Sequence, residues 1–180
     1  MADAKAECEA LMNEAYPFAE QMLAEHGEFY PFGLALTDFD EYAAVGGYDD
    51  REQPPSTEVI ALIKEGFVKR ARRRGYKATA LVYDVRVVVP ATGQQSDAVA
   101  FALDHRDKFS VIVFIPYRLE AGAPVFDEAF AQEGERDIFR RPKRPWWAIG
   151  LYLIHNPYAR LAFVAGVFIL LAWLGFFARN

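Results

Sequence analysis

The sequence predicts an α+β fold: a five-stranded antiparallel sheet in the order α-ββ-α-βββ-α with its helices on one face, plus a single C-terminal transmembrane helix. Three observations predict it. Two segments, 3–26 and 56–75, place apolar residues three and four apart, the spacing of a helix with one buried face. Five segments of strand character fall as a hairpin pair and a group of three, and within each group the turns are too short for anything but antiparallel neighbours. Near the C-terminus, Leu161 to Ala178 runs 18 residues without a charge.

The length of 180 residues accommodates one ordinary domain and a small addition. With 53% apolar and 15% aromatic residues the chain is no disordered tail, and its single cysteine excludes a disulfide framework or a cysteine-only metal cluster. The expected divisions are a cytoplasmic body over 1–139, a basic linker and interfacial segment over 140–157, and a membrane span over 158–178.

In chain order, Cys8, Leu11, Met12, Ala15, Ala19, Met22 and Leu23 form the stripe of a first helix that stops at Gly27, with Pro17 kinking or dividing it. Residues 29–37 and 41–48 flank the turn Asp38-Phe39-Asp40 as a hairpin. After Pro54-Pro55, Ser56 is placed as the cap of a second helix whose apolar face is Val59, Ile60, Ile63, Phe67 and Ala71, closing at Gly75. Strands follow over 78–89, 97–104 and 109–117, and residues 125–132 are read as a short third helix. In its ββαβββ order over residues 29–117 the chain resembles the profilin-like or longin-like arrangement, which implies a small cytosolic module that binds other proteins. Element order alone carries that resemblance, and it transfers no site.

The span from Leu161 to Ala178 would make about 27 Å of helix, close to the hydrocarbon thickness of a bilayer. Arg140, Arg141, Lys143, Arg144 and Arg160 precede it and only Arg179 follows, which places the body in the cytoplasm by the positive-inside rule. With no apolar leader in residues 1–28, insertion by a C-terminal anchor is expected. Trp146 and Trp147 open a nine-residue apolar stretch, 146–154, which either lies in the headgroup region or runs on into the span. Arg140, Arg141, Lys143, Arg144, Trp146 and Trp147 are thus the expected membrane-interface residues, in contact with a bilayer carrying anionic headgroups. Ala162 and Gly166, four apart, offer a small-residue pair for a homodimer through the span.

Charge is divided along the chain. Residues 1–139 hold all 25 acidic groups against 14 basic ones, and residues 140–180 hold six basic groups and no acidic one. Such an acidic body disfavours nucleic acid. No catalytic motif is present: there is no nucleophile elbow, phosphate loop or dinucleotide fingerprint. His26, His105 and His155 have no second ligand at metal spacing, Cys8 sits on an apolar stripe beside Glu7 and Glu9, and no cofactor is expected.

The remaining candidates are surfaces. Lys69, Arg70, Arg73 and Arg74 form the densest basic cluster of the body, at a helix end where cations also suit the dipole. Asp84 and Arg86 share one face of their strand and, with Asp97, Asp104, Arg106 and Arg118, outline a polar patch. The first expectation is a tail-anchored interaction module or accessory subunit that docks a membrane protein partner through these residues. The alternative is a membrane-attached enzyme or small-ligand sensor using Asp84, Asp97 or His105. That alternative requires an apolar pocket containing a carboxylate of raised pKa.

Overall fold

Asp3 starts the first helix, α1 (Ala4–His26), by accepting the Lys5 N–H at 3.3 Å, and Gly27 ends it at φ 75° with its N–H on the Leu23 carbonyl at 2.9 Å. The computed structural model describes residues 3–46 and 54–140. Pro17 lies inside this helix without dividing it. Its ring removes one backbone bond, while the buried stripe Cys8, Leu11, Ala15, Ala19 and Leu23 holds both halves on the same surface.

The hairpin of β1 (Phe32–Thr37) and β2 (Tyr42–Gly46) is turned by Thr37, whose Oγ1 accepts the N–H groups of Phe39 at 3.2 Å and Glu41 at 3.1 Å. Asp40 takes the left-handed conformation there, at φ 62°, a place where Asp is tolerated. The second helix, α2 (Ser56–Arg72), has Pro55 at its cap position with no side-chain bond, so Ser56 is its first residue rather than its cap. It closes through Arg74, at φ 53°, with the Gly75 N–H on the Arg70 carbonyl at 3.1 Å.

Five further strands follow: β3 (Tyr76–Val88), β4 (Gln95–His105), β5 (Ser110–Glu120), β6 (Ala123–Phe126) and β7 (Phe130–Glu133). The sheet is antiparallel throughout in the order β2-β1-β3-β4-β5-β6, with β7 also paired to β5. Because β2 and β3 each run antiparallel to β1, they are parallel to each other, and α2 is the crossover that carries the chain over β1. That puts α2 on one face, and α1 takes the other.

The two cores follow the strand alternation. On the α1 face lie Leu36, Ala78, Ala80, Val82, Val99, Phe101 and Leu103; on the α2 face lie Ala35 and Leu81, packed against Val59, Ile63, Phe67 and Ile138. Both faces being covered explains why Lys77 to Val82 is an unbroken buried run. α2 approaches the sheet closely at Gly33, where a Cβ would stand 2.6 Å from the Phe67 ring and 2.8 Å from Ile63.

The expected fold class is therefore corrected. The sheet has seven strands rather than five, and the helices lie on opposite faces rather than one. The expected third helix over 125–132 is instead β6, a break and β7. Ala121 and Gly122, at φ 51° and 86°, make a two-residue hairpin that returns the chain along β5. The returning strand breaks at Pro116, which has no N–H to offer on the side where its carbonyl accepts the Asp127 N–H at 2.8 Å. Pairing resumes from Tyr117↔Phe126 to Phe114↔Phe130, four residues on one strand against three on the other, a bulge of one residue. The extra residue reverses the alternation, so Phe126 packs near Tyr16 and Tyr117 on the α1 face while Phe130 stacks on Phe114, 5.1 Å away, on the other. The expected membrane-spanning helix has no counterpart in this fold: among the described residues no helix is long and apolar enough to cross a membrane. The positions on which it was placed, 158–178, lie outside the described residues, as do 141–157.

Candidate functional site

The residues singled out as a partner surface fall into two separate groups. Lys69 and Arg70 in the last turns of α2, with Arg73 and Arg74 just beyond it, are exposed at one end of the sheet on the α2 face. The Arg70 guanidinium lies 5.9 Å over the Tyr76 ring, a cation–π contact that ties the helix end to β3. Asp84 and Arg86 are exposed on β3 in register with Val82, hence on the α1 face, and roughly 26 Å of strand separates Asp84 from Tyr76. The two groups share neither face nor end. Of the interface residues, Arg140 is described and exposed, while Arg141, Lys143, Arg144, Trp146 and Trp147 lie outside the described residues.

The predicted polar patch is only partly assembled. Asp84 Oδ2 accepts the Tyr117 hydroxyl at 3.0 Å, and Arg86 faces Asp97 at 3.8 Å. Although the residue as a whole is exposed, partial desolvation of its carboxyl raises the Asp84 pKa, and the Tyr117 bond only partly offsets that. Arg118 pairs instead with Glu120 and Asp127, Arg106 pairs with Asp38, and Asp104 lies on the opposite face.

His105, a candidate acid–base group, is committed elsewhere. It is 2% exposed, its Nδ1 accepts the Asp107 N–H at 3.0 Å, and its Nε2 therefore carries the proton donated to Glu7 Oε2 at 2.8 Å. Glu7 Oε1 accepts from Lys77 Nζ at 2.7 Å, and Lys77 also bonds Asp40. Burial pushes the Glu7 carboxyl up, but the Lys77 and His105 bonds together bring it below its ordinary value. This buried network pins the start of α1 to β3, β4 and the β1–β2 turn, and both ring nitrogens are used. Cys8, one residue on, is a buried thiol pushed up to about 12 by burial first and by Asp104, Glu7 and Glu9 after it, which makes it a poor nucleophile.

The group that sequence reasoning misplaced, by putting it in the polar patch with Asp84 and Arg86, is Asp104. It ends β4 on the α2 face, in line with Ala98, Ala100 and Ala102, whose small side chains leave space above the sheet. After β7 the chain crosses back over that space. Gly134 packs so closely on β5 that a Cβ would stand 2.2 Å from Ser110 Oγ. Arg136 takes φ 52°, Asp137 reaches Lys64 of α2 at 2.7 Å, and Ile138 is buried against α2. Beneath this strap is a cavity of about 220 Å³ walled by α2 (Ile60, Lys64, Phe67), the sheet (Thr79, Leu81, Tyr83, Ala102, Asp104, Ile112) and the strap itself.

Asp104 is 5% exposed; its Oδ2 accepts the Ile138 N–H at 3.0 Å, and its Oδ1 is buried without a hydrogen-bond partner among the described residues. Burial pushes its pKa up to about 6 and the Asp137 carboxylate adds to the rise, against the pull of the Ile138 N–H first and of the Phe139 and His105 N–H groups after it. On the far wall, burial weakens the charge of Lys64, but its bond to Asp137 more than restores it. The only sequence signal for this site was the row of alanines on alternate positions ending in an acid. Among the described residues no group of three or more His, Cys, Asp or Glu is placed to hold a metal. Compared with known proteins, the chain matches no family model, no curated protein and no solved structure.

Proposed function

We propose that this chain is a membrane-attached protein-interaction module, an accessory subunit whose acidic body stands on the cytoplasmic side and docks a protein partner. Membrane attachment is supported by the uncharged stretch from Leu161 to Ala178 and the basic residues from Arg140 to Arg144 before it. Attachment of this kind raises the effective concentration of the body near membrane partners without any new contact.

The observation that carries docking is a second apolar cluster on the sheet, beyond the strands that α2 packs on. α2 packs on β1, β2 and β3, whereas beyond it the described residues form a separate apolar cluster of strand side chains: the buried Ala98, Ala100 and Phe114, edged by the half-buried Val85, Val87, Ile112 and Phe130. β3 there alternates charged residues on one side with valines on the other. The half-buried rim of this cluster, Val85, Val87, Ile112 and Phe130, suits a partner's apolar side chains, with the basic end of α2, Lys69 to Arg74, as an attractive edge for an acidic partner or anionic headgroups.

Purification of the tagged full chain from its native membranes in mild detergent is expected to retain a partner at near-equal stoichiometry. Val87→Glu should release it with an unchanged melting curve, and Arg86→Glu, on the opposite face of the same strand, should not. Release by Arg86→Glu alone would move docking to the α1 face, and elution of the wild type alone would sink the module reading.

A further inference from the structure

The cavity under the strap has a chemistry of its own, independent of any protein partner docked elsewhere on the sheet. Its walls are mostly apolar: Ile60, Phe67, Leu81, Ile112 and Ile138. Its charged lining is Asp104, Glu135 and Asp137 against Lys64 alone, and Lys64 is already engaged by Asp137 at 2.7 Å and Glu135 at 3.9 Å. Asp104 is thus a buried acid whose one facing cation, Lys64, is already paired with other carboxylates, and whose Oδ1 has no hydrogen-bond partner among the described residues. Such a group is costly to bury, and what would relieve it is a positively charged hydrogen-bond donor. Water could cap the oxygen, but the apolar walls offer little to hold a cluster of waters in the remaining space.

We infer that this cavity is a binding site for a small organic ammonium ion, a primary amine carrying an apolar group of about the bulk of one aromatic ring. The ammonium would donate to Asp104 Oδ1, with the hydroxyls of Thr79 and Tyr83 within the same lining as further polar contacts. The size follows from the volume: an apolar cavity of ~150 Å³ takes up benzene, and this one measures about 220 Å³. An inorganic anion is disfavoured by the excess of acids, and a neutral apolar ligand would leave the Asp104 oxygen as costly as before.

The strap makes the site responsive. Asp104 Oδ2 holds the Ile138 N–H, so the carboxylate that would bind the amine also anchors the strap that closes over it. Binding needs the carboxylate ionised, so affinity should fall as pH drops through about 6. The groups facing Asp104 that also bear charge or titrate are Lys64 on α2, Tyr83 on β3, and Glu135 and Asp137 on the strap.

The test titrates benzylamine, with benzyl alcohol as its neutral counterpart, into the full chain in a neutral detergent, following the isoleucine methyl signals by NMR. Saturable shifts at Ile60, Ile112 and Ile138 are expected for the amine, with binding of the alcohol on the order of tenfold to a hundredfold weaker. Asp104→Asn should remove that preference, so that amine and alcohol bind alike. Equal binding of amine and alcohol, retention of the preference by Asp104→Asn, or no saturation in the millimolar range would overturn the assignment. A pH titration of the wild type keeps the test valid if Asp104→Asn fails to fold: amine binding that does not weaken below pH ~6 would also overturn it.

Discussion

Asp104 has a consequence for stability as well as for binding. Its folded pKa of about 6 lies above the ordinary 3.8, so the folded protein holds this proton more tightly than the unfolded chain does. Below about pH 4 both states are protonated and the carboxyl costs nothing; as pH rises towards 6 the unfolded state ionises first, and stability is lost. The displacement is worth about 3 kcal/mol as an upper figure, fully felt above pH ~6. Denaturant unfolding of wild type and Asp104→Asn at a series of pH values should therefore show the wild type losing stability between pH ~4 and ~6 relative to the variant. A constant difference across that range would contradict it. At this scale the sequence was least legible. Cys8 read correctly as a buried thiol because its apolar stripe is local, but Asp104 was grouped with Asp84 and Arg86 because a strand's polar residues show their parity and not what crosses above them. Its partner Ile138 lies 34 residues away in the chain.

Among the elements, α1, the β1–β2 hairpin, α2 and the three long strands were visible because each carries its own period and its own turn residues. β6 and β7 were not. A four-residue strand, a bulge and another four-residue strand place apolar residues at Phe126 and Phe130, four apart, which is also the spacing of a helix. Only the vacant edge of β5 and the missing Pro116 N–H decide between them. The opposite placement of the helices was likewise hidden in residues that look like filler: Ala98, Ala100 and Ala102 face a second core layer rather than solvent. Gly33 tests that layer. A methyl there would have to displace both Phe67 and Ile63, with the Val45 carbonyl oxygen 3.1 Å away. Gly33→Ala should therefore cost about 1–3 kcal/mol, read as a lower denaturation midpoint with an unchanged slope. An unaffected midpoint would mean that α2 does not sit on β1 as described.

For the molecule as a whole, charge and hydropathy divide at the same place in the chain. Residues 1–140 form one compact unit that holds every acidic group, and the apolar and basic sequence follows. Ile138 and Phe139 of the strap belong to the core under α2, inside that unit. A fragment of residues 1–140 is therefore expected to unfold cooperatively and remain in the supernatant, while the full chain sediments with membranes. Salt separates the two forces available for attachment. At 1 M ionic strength the screening length falls to about 3 Å, so attraction between Arg140–Arg144 and anionic headgroups would be lost, whereas burial of the Leu161–Ala178 stretch would be untouched. The full chain should stay in the pellet in high salt and leave it only in detergent. Release by salt alone would reduce the attachment to a charged surface contact, and a full chain that never sediments would remove the membrane from the proposal altogether. Failure of the fragment to fold would show that the two-faced sheet depends on residues beyond 140.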